Sequence, residues 1–165
     1  MTQALSRRTL FLTAGAVALT GCAPETADAS TRQYANSPFR RVTDAQWRQR
    51  LPRAAYDVLR HEATERPGAS PLNNESRRGT FICRGCDLPL FRSQWKYDSR
   101  TGWPSFYDVI AANIGTKTDY AIGIPRVEYH CARCLGHQGH VFDDGPRPTG
   151  KRYCNNGVAL KFVPA

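Results

Sequence analysis

The sequence predicts a mainly β domain in which short N-terminal helices precede a series of antiparallel strands, and three observations predict it. From Thr80 onward, short runs of Phe, Ile, Tyr and Val are broken by Gly, Pro and Asp, the pattern of strands joined by turns. Seven Phe, seven Tyr and three Trp stand among eleven Pro and thirteen Gly, a mix that suits strands and turns better than a helical bundle. Helix start signals are confined to the stretch before Pro67. At 165 residues the length fits one domain with a modest core.

The first thirty residues read as a targeting segment and stand outside the fold. Ser6-Arg7-Arg8-Thr9-Leu10-Phe11 holds a twin-arginine pair, followed by an uncharged apolar run from Leu10 to Leu19. That run is shorter than the roughly 20 residues needed to span a bilayer. It ends in Leu19-Thr20-Gly21-Cys22, which looks like a lipobox. The expectation is a signal peptide over 1–21 and a lipidated Cys22 at the mature N-terminus, on the periplasmic side of a bacterial membrane. An ordinary signal peptide with an incidental cysteine, or an uncut anchor, remain the alternatives. Residues 22–38 are poor in apolar side chains and read as a flexible tether, so the domain is expected over 39–165.

Within the domain, Thr43-Asp44-Ala45-Gln46 fits a capping box opening a short helix to about Arg50. Pro52 suits the first turn of a second helix that buries Ala55, Tyr56 and Leu59 and ends before Glu65-Arg66-Pro67. Pro67–Gly79 reads as loop. The strands follow.

Cys83-Arg84-Gly85-Cys86 and Cys131-Ala132-Arg133-Cys134 are two C-x-x-C knuckles. Each turn aims two thiolates at one point, and the pair completes a tetrahedral four-sulfur zinc site, one ion per chain. Two redox C-x-x-C motifs or a crossed disulfide pair are the competing readings; the doubled spacing and Gly85 favour zinc. Four protein sulfurs leave no open position, so the ion is structural. The segment Asp87–His130 between the knuckles far exceeds the roughly 15–20 residues of zinc-ribbon modules. The metal therefore clamps a larger sheet domain. The net charge of +9 holds no block of five or six Lys/Arg, which argues against a nucleic-acid tail and leaves anionic membranes or acidic partners as the milder reading.

Of six cysteines, Cys154 is neither knuckle ligand nor lipid acceptor. If 152–162 is one strand, period two puts Arg152, Cys154, Asn156, Val158, Leu160 and Phe162 on one inward face. An adjacent Arg favours thiolate, the nucleophilic form; an inert buried Cys is the alternative. His137 and His140 follow the second knuckle and are candidate proton donors to a thiol reaction, or else extra zinc ligands. Gly102-Trp103-Pro104-Ser105-Phe106 is an aromatic turn able to wall an apolar pocket, or a plain piece of core.

Cys83-x-x-Cys86, Gly102-Trp103-Pro104-Ser105-Phe106, Cys131-x-x-Cys134, His137-x-x-His140-Val141-Phe142-Asp143-Asp144-Gly145-Pro146 and Arg152-Tyr153-Cys154 together resemble the B-type methionine sulfoxide reductases, in family order from about residue 40 to the C-terminus. The resemblance implies two antiparallel sheets with a few short helices and reduction of the R epimer of methionine sulfoxide. By position it makes Cys154 the nucleophile, His137 and His140 the oxygen-binding pair, Trp103 and Phe142 substrate contacts, and Asn156 and Arg152 active-site neighbours. Four positions depart from the family pattern: Gln138, Asn155, Gly157 (expected to loosen the turn after the nucleophile) and Thr101, which stands where many members carry a resolving Cys. The implied chemistry converts Cys154 to a sulfenic acid. The implied partners are oxidised proteins or peptides and an external thiol, thioredoxin-like or small. Two rival functions are a membrane-anchored, zinc-stabilised peptide-binding module without catalysis and a thiol–disulfide oxidoreductase.

Overall fold

The computed structural model describes residues 29–165, so the twin-arginine pair, the apolar run and Cys22 lie outside the described residues. Three short helices lead: α1 (Ala29–Arg32), α2 (Asp44–Arg50) and α3 (Arg53–His61). The capping box of α2 forms as its sequence dictates: the Thr43 side chain accepts from the Gln46 N–H, and the Gln46 side chain accepts from the Thr43 N–H. Pro52 sits one position earlier than expected, at the cap of α3, whose buried face is Ala55, Tyr56, Val58 and Leu59. Among the described residues no helix is long and apolar enough to cross a membrane.

Two antiparallel sheets follow. The smaller has the order β2 (Pro89–Arg92), β1 (Gly79–Cys83), β9 (Leu160–Pro164). The larger has six strands: β3 (Lys96–Tyr97), β4 (Ser105–Phe106), β8 (Arg152–Asn155), β7 (His137–Phe142), β6 (Arg126–Cys131) and β5 (Ile114–Asp119). Aromatic side chains from both sheets form the core: Phe91 stacks on Phe106 at 4.1 Å, and Phe81 meets Phe106 edge-on at 4.9 Å. Such ring pairs add roughly 0.5–1.5 kcal/mol beyond their burial. The expected mainly β fold with two antiparallel sheets and short N-terminal helices is what forms.

Two expectations are corrected. The stretch 22–38 is not all tether: α1 buries Thr31, and the Tyr34 hydroxyl donates to Asn113 Oδ1 at 2.9 Å while Arg133 lies over its ring at 5.4 Å. One aromatic with a hydroxyl at its tip anchors a segment whose average composition is polar. The second correction matters more. The run 152–162 is not one strand; β8 stops at Asn155, a 3-10 turn spans Gly157–Ala159, and β9 belongs to the other sheet. The period-two row from Cys154 to Phe162 therefore does not exist. The chain breaks there because Asn156 spends its side chain on backbone, accepting from the Glu65 N–H at 2.8 Å and donating to the Gln138 carbonyl at 3.0 Å. Ser70 packs close against Gly157: a Cβ there would come within 1.9 Å of Ser70 Oγ.

Candidate active site

The knuckles are built alike. In each, the residue after the second cysteine takes a left-handed backbone, Asp87 at φ 60° and Leu135 at φ 59°, and donates its N–H to the carbonyl of the first cysteine at 2.8 Å. The turns' special conformation thus falls on Asp87 and Leu135, and Gly85 is not what makes the first one possible. All four Sγ atoms lie within 4.8 Å of one another and are buried. Cys83–Cys134 and Cys86–Cys131 are 3.6 and 3.4 Å apart, too far for disulfides at about 2.05 Å. They are close to the roughly 3.8 Å edge of a tetrahedron with Zn–S near 2.3 Å. The donor set fits structural zinc. A four-thiolate zinc site carries excess negative charge, and guanidinium groups surround it: Arg60 donates to the Cys134 carbonyl, Arg133 to that of Cys86, and Arg40 to that of Ala132. The buried Gln138 donates Nε2 to Cys83 Sγ at 3.5 Å, which gives this departure from the family pattern a place beside the ion.

The metal end and the thiol end are tied together. Arg84, inside the first knuckle, donates to the carbonyls of Val158 and Leu160, so it holds the turn that follows Cys154. The second knuckle leads straight into β7, which carries both histidines.

Register assembles the site. Glu128 of β6 pairs with His140 of β7, His140 pairs with Cys154 of β8, and Cys154 pairs with Ser105 of β4. Directly opposed residues of antiparallel strands share a face, so these four side chains form one row across the sheet. The opposite row, Val141, Tyr153 and Phe106, packs into the aromatic core. Cys154 therefore faces away from the core and onto a pocket of about 290 Å³, whose walls include Thr101, Trp103, Arg126, His140, Phe142 and Arg152. Gly139 lets β7 and β8 approach there, since a Cβ would lie 1.9 Å from the Cys154 carbonyl oxygen.

Burial is the largest influence on Cys154 and pushes its pKa up; the charge of Arg152 and hydrogen bonds from Thr101 and Arg152 pull the other way without prevailing. Arg152 is shared. It makes a bidentate pair with Asp144 at 2.7 and 2.8 Å and lies 4.2 Å from the Phe142 ring centroid. Arg152 thus eases ionisation of Cys154, but burial keeps the thiol the favoured form.

The two histidines differ. His140 is on the pocket wall with Nε2 2.7 Å from Asp119 Oδ2. Burial lowers its pKa, with the hydrogen bond to Asp119 opposing. His137 is 3% exposed, 5.5 Å from His140 between ring centroids, and its Nδ1 is 2.7 Å from Glu128 Oε1. Glu128 also takes His130 Nδ1 at 3.0 Å. Burial pushes this carboxyl up, yet the hydrogen bonds and charges of His130 and His137 outweigh it and leave a pKa of about 2. Trp103 Nε1 donates to the Glu65 carbonyl at 2.8 Å, fixing the indole on the wall.

Asp119, Arg126 and Glu128 were invisible in the sequence, because a charged residue in a strand reads as a solvated face. So was a chain of hydroxyls: Thr101 bonds Ser99 at 2.8 Å, and Ser99 bonds Ser105 at 2.7 Å. Asn155 is held between the Tyr129 hydroxyl and the Asn156 carbonyl.

Residues 51–164 match the family model "SelR domain". Peptide methionine sulfoxide reductase B1, chloroplastic, of Oryza sativa subsp. japonica is 50% identical over 122 residues, 73% of this chain and 57% of that protein. Its Arabidopsis thaliana counterpart is 45% identical over 134 residues, 81% of this chain and 66% of that protein. Peptide methionine sulfoxide reductase MsrB of Bradyrhizobium diazoefficiens is 46% identical over 123 residues, 74% of this chain and 88% of that protein. The match thus spans under two thirds of the two plant proteins and most of the bacterial one.

Proposed function

This chain belongs to the SelR-domain family of B-type methionine sulfoxide reductases, and on that premise we propose that it reduces the R epimer of methionine sulfoxide through Cys154. The observation that carries the reading is the register pair Cys154–His140 on one pocket wall, with Trp103 lining the same pocket. The Cys154 thiolate attacks the sulfoxide sulfur while a proton reaches the sulfoxide oxygen, that oxygen passes to Cys154, and methionine leaves. Cys154 is then a sulfenic acid. Protonated His140 holds the oxygen and gives it the proton, with Asp119 on Nε2 orienting the ring and favouring the charged form. His137 stands behind it, tied to Glu128. Trp103 and Phe142 take the methyl end, and Arg152 supports the thiolate. Asn156 holds the turn beside the thiol through its backbone contacts.

The zinc ligands Cys83, Cys86, Cys131 and Cys134 hold the structure and take no part in the chemistry. A thiol–disulfide oxidoreductase would need a metal-free C-x-x-C, and the clustering of these four sulfurs argues against it. A peptide-binding module without catalysis would not need a thiol beside a histidine.

Regeneration falls to an outside thiol. Among the described residues the other free cysteines are the four buried knuckle sulfurs, and Thr101 occupies the place beside Cys154. A second thiol must condense with the sulfenic acid, forming a mixed disulfide and water, before a further thiol reduces it. One equivalent of methionine-R-sulfoxide should therefore leave trappable sulfenic acid and no intramolecular disulfide. Thr101→Cys should create that disulfide, since the two side chains are already in contact range. A disulfide between Cys154 and any native cysteine would overturn the assignment of the metal set or of Cys22.

The same proposal places the enzyme outside the cytoplasm as a lipoprotein, supported by Arg7-Arg8, the Leu10–Leu19 run and Leu19-Thr20-Gly21-Cys22. Mass analysis of membrane fractions should find a mature chain beginning at acylated Cys22. A soluble form retaining Met1 as the main species would contradict it.

A further inference from the structure

The β5–β6 hairpin ends in Tyr120-Ala121-Ile122-Gly123-Ile124-Pro125, six residues without a charge. Tyr120, Ile122 and Ile124 are 67%, 59% and 60% exposed, and Val127 beside them is 48% exposed. Contiguous exposed apolar surface of this kind marks contact sites on soluble domains. The tip is shaped, not frayed: Gly123 donates its N–H to the Tyr120 carbonyl at 2.9 Å with φ 81°, and Ala121 donates to Asp119 Oδ1 at 2.7 Å.

Its base is the active-site wall. Asp119 closes one end of the loop and Arg126 the other, the two forming an ion pair. Asp119 is the partner of His140, and Arg126 lines the pocket that Cys154 faces. The hairpin's base is thus part of the pocket wall, and the tip extends from it. A cavity of about 290 Å³ takes one oxidised side chain, so the polypeptide on either side of that residue must cross the rim.

We propose that this hairpin tip docks the apolar residues flanking a methionine sulfoxide in an unfolded polypeptide. Methionine is mostly a core residue, so its sequence neighbours are often apolar too. Oxidation makes it polar and disrupts the core that held it, exposing those neighbours together with the sulfoxide. An uncharged tip of Tyr and Ile extending from the pocket wall matches that substrate and offers nothing to a charged one. The inference rests on the reductase reading and adds to it a preference for apolar, unfolded flanks.

The test compares the full chain with Ile122→Ser/Ile124→Ser, whose two side chains are exposed and whose loss leaves the core intact. The substrates are N-acetyl methionine-R-sulfoxide, a peptide with Leu and Val flanking the R sulfoxide, and a peptide with Gly and Ser flanks. In the variant, KM for the apolar peptide should rise about tenfold, the worth of partly burying two such side chains, with kcat unchanged. KM for the other two substrates should stay put. Calorimetric binding of the same peptides to Cys154→Ser forms with and without the tip substitutions reads the tip apart from turnover. Equal affinity of wild type and variant for the apolar peptide, or a parallel loss on all three substrates, overturns the docking surface. Absence of turnover on every sulfoxide by the wild type overturns the reductase reading instead. Co-sedimentation with phosphatidylcholine vesicles that the variant loses, with peptide affinity unchanged, assigns the tip to a membrane and also overturns the proposal.

Discussion

Cys154→Ser should lower turnover of an R-sulfoxide peptide by about 10⁴-fold or more, the scale seen when a covalent nucleophile is removed. A serine hydroxyl is a much weaker nucleophile than a thiolate. The side chain is partly exposed on the pocket wall and leaves the aromatic core untouched, so the variant should melt like the wild type. The S-sulfoxide peptide should be left unreduced by both forms. Burial raises the Cys154 pKa and lowers that of His140, and the reaction needs thiolate together with imidazolium, so wild-type turnover should rise with pH only below the His140 pKa, run flat through the neutral range and fall above the Cys154 pKa. Near-wild-type activity in Cys154→Ser would favour a binding module without catalysis. A profile that climbs throughout the neutral range would remove His140 as the proton donor.

Loss of the metal should have the other large effect. Structural zinc contributes on the order of 10 kcal/mol in small modules, comparable with the whole net stability of a domain, about 5–15 kcal/mol. Cys131→Ser, or exhaustive chelation, should unfold the described domain, and one zinc per chain should be recovered from the wild type. The second knuckle feeds β7 with its two histidines, and Arg84 of the first holds the turn after Cys154. Activity should disappear together with the circular-dichroism signal of the sheets. An apo protein that melts like the holo form would contradict the structural role.

The parts of this molecule legible in sequence are those decided by near neighbours along the chain. The capping box of α2 needs residues three apart, and it formed with both hydrogen bonds. Each C-x-x-C knuckle is a four-residue turn, so the metal set was readable before any strand was placed.

The failures were equally local in origin. Period two extended one strand from Arg152 to Phe162, because alternation cannot see a chain leaving its sheet; the Asn156 side chain and the Gly157–Ser70 contact make that break, and both are tertiary. A tether was read over Tyr34 because its anchor, Asn113, is distant in sequence.

The sequence by itself determined the β class, the helix start and the four clustered cysteines, since spacing of a few residues suffices for each. Only the tertiary structure decided which face Cys154 presents, that His140 and not His137 shares its pocket wall, and that Glu128 and Asp119 back the two histidines. Strand register decides all of these at once. A shift of one residue turns every side chain of a strand to the opposite face, and register is set by packing between segments far apart in the chain.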